Sequence, residues 1–584
     1  MDIRPIIVQN YLESLKEDTE LDVLFPLLLQ AMDFEILSTP KEYKGFPQYG
    51  KDIVAIGKER GKKYRYFFEI KAGNIDGRNW DTGQNSVRSS LTMTVDHDYD
   101  TTYPDFKKLP VKVVLAFNGL VSGKARGLLS GFAQKEFIDK GIAFEEWNLW
   151  KLTELFNAKL FGVYLFTDQK NTRLFNRVIV NLNVNDGVSQ DFVDLVDAIL
   201  TKESWSGKYR KIPRRVILLF GTLNLIAMIL YTEAKGYNNL DIAKRYLTHL
   251  VLRFWHWVLK NKLEGNRKVI PFFARHLMFY HGLLREYLKR TVDIALQEDG
   301  LSHHEGGRYD EVGYTHRTME YLKTLCYVLK FEKRFDPNFD MEKAKSLLIG
   351  VINANSVSKR VLLDIHSLTV MDVVHLFIDF GEIDNAKIYL REVLGYIKNG
   401  KELYGRLPDA NNSLENVIKF TVTGKKPIFY VDGTSPLMAT LLEYVAILDI
   451  KEDYEWLPGF VQEHDITLGI FVPHQGLEST SMDLVEDKVN DLEEQLFSKS
   501  VKDGYQSEIR TKKFPEGELD FDGFKKELGE RVNEFTYIYR TDKAGFSILR
   551  DLAHQYYGTP YFPDRWRPML ELLNPKDSDE SSVR

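Results

Sequence analysis

The stretch Gly50–Gly73, GKDIVAIGKERGKKYRYFFEIKAG, reads as a β-hairpin. One arm is Asp52-Ile53-Val54-Ala55-Ile56, the turn is the glycine-bounded, basic Gly57–Lys63, and the second arm runs from Tyr64 to Ala72. Runs of β-branched and aromatic residues around a Gly-rich connection are the hairpin signal. Side chains alternate faces along a strand, so Glu69 and Lys71 project to one side while Phe68 and Ile70 project to the other, into a core. With Asp52 at the start of the first arm, two carboxylates and a lysine occupy positions that otherwise want apolar residues.

Burying a carboxylate or an ammonium costs several kcal/mol per ion unless each is paired or coordinates something. Two arrangements satisfy that demand. One is a cross-strand salt bridge at a sheet end. The other is a divalent metal beside Asp52 and Glu69, and hard oxygen ligands in small number suit Mg²⁺ or Mn²⁺ held partly by water.

The chain has 584 residues, more than one hydrophobic core organises, so two to four domains are expected. With 44% hydrophobic and 28% charged residues it has the composition of a globular protein. A formal charge of -6 gives no global nucleic-acid signature, so any such contact must be local. The single cysteine, Cys326, lies in the apolar run TLCYVL and excludes a disulfide framework or thiolate metal site. The first residues, MDIRPIIVQNYLESLKED, lack the pattern of a signal peptide, and a cytoplasmic protein is expected. Val216–Tyr231, VILLFGTLNLIAMILY, is shorter than the roughly 20 residues a bilayer needs, carries Asn224, and reads as a buried helix. No membrane partner is expected.

Around the hairpin, residues 1–166 alternate helix and strand. A helix is expected at Leu21–Met32, with Glu17, Asp18, Glu20 and Asp22 suiting its N-terminus through capping and the macrodipole. Strands are expected at Phe34–Leu37, Val111–Phe117 and Ile142–Phe144, and helices in the polar segment Gly73–Asp100, at Gly127–Lys140 and at Trp150–Phe156. Helices on both faces of a mixed sheet would bury such strands.

A helix with an acidic start, then FEIL, GKDIVAI, FFEIKAG, VKVVLAF and GIAFEEWNLWKLTELF in that order, resembles the restriction endonuclease-like fold of the PD-(D/E)XK superfamily, nearest its Mrr-type prokaryotic defence nucleases. The likeness covers about the first 165 residues. It implies metal-dependent hydrolysis of DNA phosphodiesters, RNA not being excluded, in anti-phage defence or restriction. Asp52 and Glu69 would bind Mg²⁺ (or Mn²⁺) with the backbone carbonyl of Ile70, and Lys71 would orient the attacking water and offset charge on phosphorus. The family's helix acid falls on Glu20 or Asp22, with Glu20 preferred. Gln84 is followed by Arg88 where some branches place a tyrosine, a departure that sets this chain apart from the exonuclease-like branch. Lys58, Arg60, Lys62, Lys63 and Arg65 of the hairpin, with Gln84 and Arg88, are candidate phosphate contacts or else a solvated surface. The resemblance also implies a homo-oligomer, since such nucleases often need two sites to break both strands, and a defence-system partner protein.

Residues 167–210 read as a connector with one strand in Asn171–Gly187, followed by the basic KESWSGKYRKIPRR at Lys202–Arg215, a linker or a nucleic-acid track. From 211 to 470 apolar residues recur with helical period, for example in Asp241–Lys260, Phe272–Leu288, Met341–Ala354 and Leu437–Leu448, so an α-helical array or toroid is expected, turning irregular from about Asp449. Within it Glu298–Arg317, EDGLSHHEGGRYDEVGYTHR, gathers His303, His304, Glu305, Arg308, Asp310, Glu311 and His316 without a metal-ligand spacing, and reads as a polar interhelical loop. That phrase also resembles the loops of helical-toroid polysaccharide lyases, which would imply a carbohydrate-active enzyme. Residues 471–573 form a mixed, mostly helical region with a charged, exposed helix at Met482–Lys499, whose Val485, Val489, Leu492 and Leu496 stripe is too short for a coiled coil and is expected to pack on the body or on a second subunit, and 574–584 a polar tail expected to be disordered. The expected class is thus an α/β restriction endonuclease-like domain followed by a large, mainly α-helical domain. The competing expectation is a nuclease-fold scaffold that is catalytically inactive and binds a partner.

Overall fold

The computed structural model describes residues 8–9, 12–13, 15, 21–39, 50–59, 61–82, 86–99, 101–159, 169–184, 187–207, 212–302, 308–472, 482–498, 508–512, 520–532 and 538–573. The chain clusters into two compact units, Met1–Leu250 with Asn261–His276, and Val251–Lys260 with Leu277–Arg584. The division therefore falls well beyond 167–210, where composition places a connector.

The first unit is built on a five-stranded mixed sheet. Helix α1 (Asp22–Ala31) leads to strands β1 (Glu35–Ser38), β2 (Ile53–Glu59) and β3 (Lys62–Lys71), which form an antiparallel meander. Helices α2 (Gly77–Asp81) and α3 (Val87–Asp96) carry the chain across to β4 (Val111–Phe117), parallel to β3. Helix α4 (Gly123–Glu136) then returns it to β5 (Ala143–Trp147), parallel to β4, and α5 (Leu149–Phe156) follows. Parallel pairing demands such crossovers, and their helices cover the sheet. The caps are written in the sequence: Asp76, Ser86, Ser122 and Asn148 each accept backbone N–H bonds at the starts of α2 to α5. The residue capping α1, Leu21, offers no side-chain bond, and Asp22 supplies the acidic first turn.

Alternation along β3 gives the sheet two apolar faces. Phe68 packs edge-on against Phe25 of α1 at 5.5 Å and beside Trp147 at 5.4 Å. On the opposite face Phe67, Val54, Val113, Leu115 and Phe117 join Trp80, Leu91, Ala125 and Leu129 in one buried cluster. Gly119 shows how close the connections run, because a Cβ there would lie 2.2 Å from the carbonyl oxygen of Gly73.

Helices α6 (Gln169–Val180) and α7 (Gln190–Leu200) occupy the supposed connector, and the strand expected in Asn171–Gly187 is helical instead. LFNRVIVNL carries a period of 3.6 beneath its β-branched residues, with Leu174, Phe175, Val178, Ile179 and Leu182 buried. The next helix, α8 (Arg214–Gly236), is the one helix among the described residues long and apolar enough to cross a membrane, and 78% of its apolar window is buried inside the protein. It is followed by α9 (Leu240–Lys260) and α10 (Ile270–Ala295), the helices in which the two units divide.

The second unit is mostly helical. Its centre is α11 (Arg308–Phe335), α12 (Met341–Ala354), α13 (Ser367–Asp379), α14 (Ile383–Tyr404) and α15 (Leu414–Thr423), with α11 packed on α12, α13 and α15. After β6 (Thr434–Ser435), helix α16 (Pro436–Ile447), like α13, is buried along its length, as apolar residues on all sides require. The region expected to turn irregular holds α17 (Lys451–Glu463) and β7 (Thr467–Val472), and β7 joins β6 and β8 (Glu508–Lys512) in a three-stranded sheet. The polar loop at Glu298–Arg317 is shorter than expected, since α11 starts at Arg308, and His303, His304 and Glu305 lie outside the described residues. Helix α18 (Met482–Leu496) buries Val489, Leu492 and Leu496 of its apolar stripe, the first two against Tyr539 and Phe562.

Beyond α19 (Phe521–Glu530), the helices α20 (Arg540–Lys543), α21 (Ile548–Tyr557) and α22 (Met569–Leu573) dock through buried polar contacts. Asp372 accepts bonds from Lys330 at 2.5 Å, Gln555 at 2.5 Å and Tyr561 at 3.1 Å, while Glu493 accepts from the backbone of Thr541 at 2.7 Å. Glu443 accepts from Trp566 at 2.7 Å and from Arg567 through two nitrogens at 3.0 and 2.9 Å. Removing one partner of a buried pair leaves the other uncompensated. Glu443→Ala is therefore expected to destabilise the second unit by about 3–5 kcal/mol, read as a lowered urea midpoint, whereas a midpoint within error of wild type would show that water replaces the carboxylate.

Candidate functional site

The register Ile53↔Phe68, continued by one residue, sets Asp52 opposite Glu69. Asp52 Oδ2 accepts the backbone N–H of Ile70 at 2.7 Å, which fixes the carboxylate at the mouth of the hairpin. Glu69, 2% exposed, projects on the Phe67 face, and its Oε1 lies 2.9 Å from the Lys71 ammonium. Its other oxygen, Oε2, is buried without a hydrogen-bond partner. The structure thus brings Asp52, Glu69, Ile70 and Lys71 together at one end of the sheet, beside the start of α1.

The electrostatics of this corner are strained. Burial first, and the neighbouring Glu69 carboxylate second, push the Asp52 carboxyl well above its ordinary range; the Ile70 N–H and Lys71 oppose the shift, and Asp22 adds to it. That last effect gives Asp22, in the first turn of α1, a field at the site. Glu20, preferred from sequence, lies outside the described residues, as do Arg60 and Gln84.

No family model, curated protein or solved structure matches the chain. The site is therefore read from its own chemistry. Among the described residues no group of three or more His, Cys, Asp or Glu side chains stands ready to hold a metal. A cation here would take Asp52, Glu69 and the Ile70 carbonyl, with water completing the shell. The residues present fit that role, because an orphaned carboxylate oxygen and two like charges forced together are relieved by a divalent ion.

The remaining candidates stand elsewhere. Lys58, Lys62 and Lys63 lie at the turn end of the hairpin, where Lys58 pairs with Lys63 in the ladder. From Lys63 to Glu69 the strand runs about 20 Å at roughly 3.3 Å per residue, so the turn does not surround the site as expected. Lys63 approaches Tyr103 Oη at 3.3 Å, and Arg65 stacks on Phe106 at 5.4 Å with a half-buried side chain. Arg88, in the first turn of α3, pairs with Asp81 at 3.3 Å on the surface.

Lys51 is the residue that sequence reading missed. It is 7% exposed, and its ammonium lies 5.3 Å from the centre of the Phe67 ring and donates to the His97 carbonyl at 2.6 Å. Burial lowers its pKa to about 8 against the pull of Asp98, Asp96 and Glu69. A lysine directly before the first acid was the available signal, hidden because the residue precedes the strand. Nearby, Asn118 accepts from the Gly73 N–H at 2.6 Å and donates to the carbonyls of Leu12 and Leu15, tying down the chain that leaves β3.

A folded-state Asp52 pKa above the unfolded value means that the folded chain binds the extra proton. Metal-free stability therefore falls as pH rises from the ordinary aspartate range, about 3.9, into the raised range. Asp52→Asn keeps an acceptor for Ile70 and removes the charge. In EDTA the variant is expected to be more stable than wild type at neutral pH and indistinguishable from it below about pH 4; urea titrations at both pH values check this, and equal midpoints at neutral pH would remove the strain.

Proposed function

We propose that the chain is a metal-dependent nuclease that hydrolyses DNA phosphodiesters, of the PD-(D/E)XK kind that its sequence resembles, acting in bacterial defence or restriction. The observation that carries this reading is Glu69, buried beside Asp52 with one oxygen on Lys71 and the other unpartnered. Support comes from the sheet, where the order of elements on which the resemblance rests recurs as a meander followed by parallel strands.

In this reading Asp52 and Glu69, with the Ile70 carbonyl, hold Mg²⁺ or Mn²⁺. The bound ion would polarise a phosphoryl oxygen and lower the pKa of a water. The Ile70 N–H keeps the Asp52 carboxylate oriented. Lys71, 17% exposed at its side chain, reaches solvent past Glu69 and donates to the attacking water or to a non-bridging phosphate oxygen, offsetting charge as it builds. Asp22 adds negative potential that favours a cation at Asp52. One observation favours the second reading, an inactive scaffold: the 2.9 Å contact between Lys71 and Glu69 is already a closed ion pair.

Incubation with supercoiled plasmid separates the two. Nicking is expected with Mg²⁺ or Mn²⁺ and not with EDTA, and Asp52→Ala and Lys71→Ala are each expected to lower the rate by about 10²-fold or more. Equal nicking by all three proteins would displace the site. No nicking by any, with unchanged circular dichroism, would put the scaffold in its place.

The helix acid is assigned by a ranking. Because Asp22 acts on Asp52, Asp22→Ala is expected to slow cleavage more than Glu20→Ala; the reverse order would return the role to Glu20.

A further inference from the structure

One buried amide gathers three parts of the first unit at the sheet end that carries Glu69 and Lys71. Asn118 directly follows Phe117, the β4 residue paired with Lys71, and is 1% exposed. Its Oδ1 accepts the Gly73 N–H at 2.6 Å, and its Nδ2 donates to the carbonyls of Leu12 at 2.6 Å and Leu15 at 2.8 Å. A single orientation of the amide serves all three partners, because only the nitrogen can donate to two carbonyls and only the oxygen can accept from an N–H. Both N–H groups and the oxygen are engaged.

The partners on the two sides differ. Gly73 is two residues beyond Lys71, and the exits of β3 and β4 already hold each other. The Leu120 N–H donates to the Asn74 side chain at 2.8 Å, the Ile75 N–H to the Leu120 carbonyl at 3.0 Å, and the Ser122 N–H to the Ile75 carbonyl at 2.9 Å. Leu12 and Leu15 come from the chain that leads into α1. They are buried, as is Val8, and α1 opens with Asp22, whose charge acts on Asp52. Asn118 therefore ties the chain entering α1 to the strand end that carries Glu69 and Lys71.

Apolar contact alone does not fix this junction. Phe25 against Phe68 sets how far α1 stands from the sheet, but burial of apolar surface is non-directional and leaves the position along the strand loosely defined. The bonds from Asn118 are directional. Without them the Gly73 N–H and two carbonyls lose partners in a buried setting, where an unpaired polar group is costly. A cation held by β2 and β3 in the field of Asp22 gains from the same alignment, because that field depends on where α1 begins.

We propose that Asn118 is a positioning residue of the metal site, coupling the chain around Leu12 and Leu15 to the end of β3 so that docking of that chain and binding of a divalent cation favour each other. This rests on the reading of Asp52 and Glu69 as metal ligands. Linkage makes the coupling reciprocal, so it is measurable without turnover. The experiment is hydrogen exchange of the full chain with and without Mn²⁺, read by mass spectrometry in peptides covering residues 8–15, together with calorimetric titration of Mn²⁺. Wild type is expected to bind Mn²⁺ and to exchange more slowly at 8–15 when loaded, and Asp52→Ala to lose both. Asn118→Ala is expected to weaken Mn²⁺ binding by about fivefold or more and to lose the slowing. Ser189→Ala, which removes the cap of α7, lowers stability away from the site and is expected to bind Mn²⁺ as wild type does. Mn²⁺ binding by wild type with unchanged exchange at 8–15, or wild-type affinity in Asn118→Ala, overturns the coupling and leaves the metal site standing. Equal weakening in Ser189→Ala traces the loss to stability and overturns the positioning role. No Mn²⁺ binding by wild type overturns the metal reading and the coupling with it. Should Asn118→Ala not fold, Leu12→Ala loosens the same chain with the amide intact and is expected to weaken Mn²⁺ binding as well; wild-type affinity there overturns the proposal.

Discussion

Two carboxylates facing each other across the mouth of a hairpin, with one lysine between them and water, are the constraint on which the first unit turns. Strand β3 has to be apolar on both faces where it sits between α1 and the α2 to α4 layer, and it is so from Tyr66 to Phe68. At Glu69 the alternation continues in direction but changes chemistry, and the charge is tolerated because the strand is ending. Lys71, two residues on, reaches the same face and takes one carboxylate oxygen. The meander matters here because it returns Asp52 to the Ile70 N–H across the ladder, which no local sequence spacing could do.

The hairpin, the order of the strands, the buried character of α8 and most helices of the second unit were legible because each rests on a periodicity of 2 or 3.6 and on turn or cap residues that act locally. What failed had other causes. The segment Asn171–Gly187 was read as a strand because Val178, Ile179 and Val180 favour one intrinsically, while tertiary packing of α6 on α7 decided for helix. The start of α11 lies in a run of Gly, His and Asp that favours loops. For the site, Asp52, Glu69 and Lys71 were readable from alternation. The separation of that corner from the basic turn follows from strand rise alone, about 20 Å over six residues. Lys51 was missed because burial of a residue just outside a strand depends on where α3 lies, as the Thr94 hydroxyl bonded to the Gly50 carbonyl shows.

The second unit follows a different principle of assembly. Beside an apolar seam, its C-terminal helices are attached by side chains that must find particular acceptors: Lys330, Gln555 and Tyr561 on Asp372, Trp566 and Arg567 on Glu443, Arg540 and Thr541 on Glu493. Such contacts add little net stability over apolar packing of the same volume, but they discriminate strongly against other registers, because each misplacement strands a buried charge. The unit thereby specifies one docking of residues 538–573.

Comparison of the buried acids in the two units bears on function. In the second unit Asp372, Glu443 and Glu493 each have both oxygens accepting hydrogen bonds, from donors that the fold has gathered around them. In the first unit Glu69 is equally buried, yet only one of its oxygens has a partner, and the nearby Asp52 is held in a state that disfavours its charge. Asp542 in the second unit and Glu264 in the first also carry a buried oxygen without a hydrogen bond, so what sets this corner apart is the second carboxylate, Asp52, placed against Glu69. Lys51, which could have supplied the second donor, is turned to the His97 carbonyl instead. A divalent cation would relieve a deficit of positive charge at two such oxygens beside the Lys71 ammonium, and that relief is what the proposed metal site rests on.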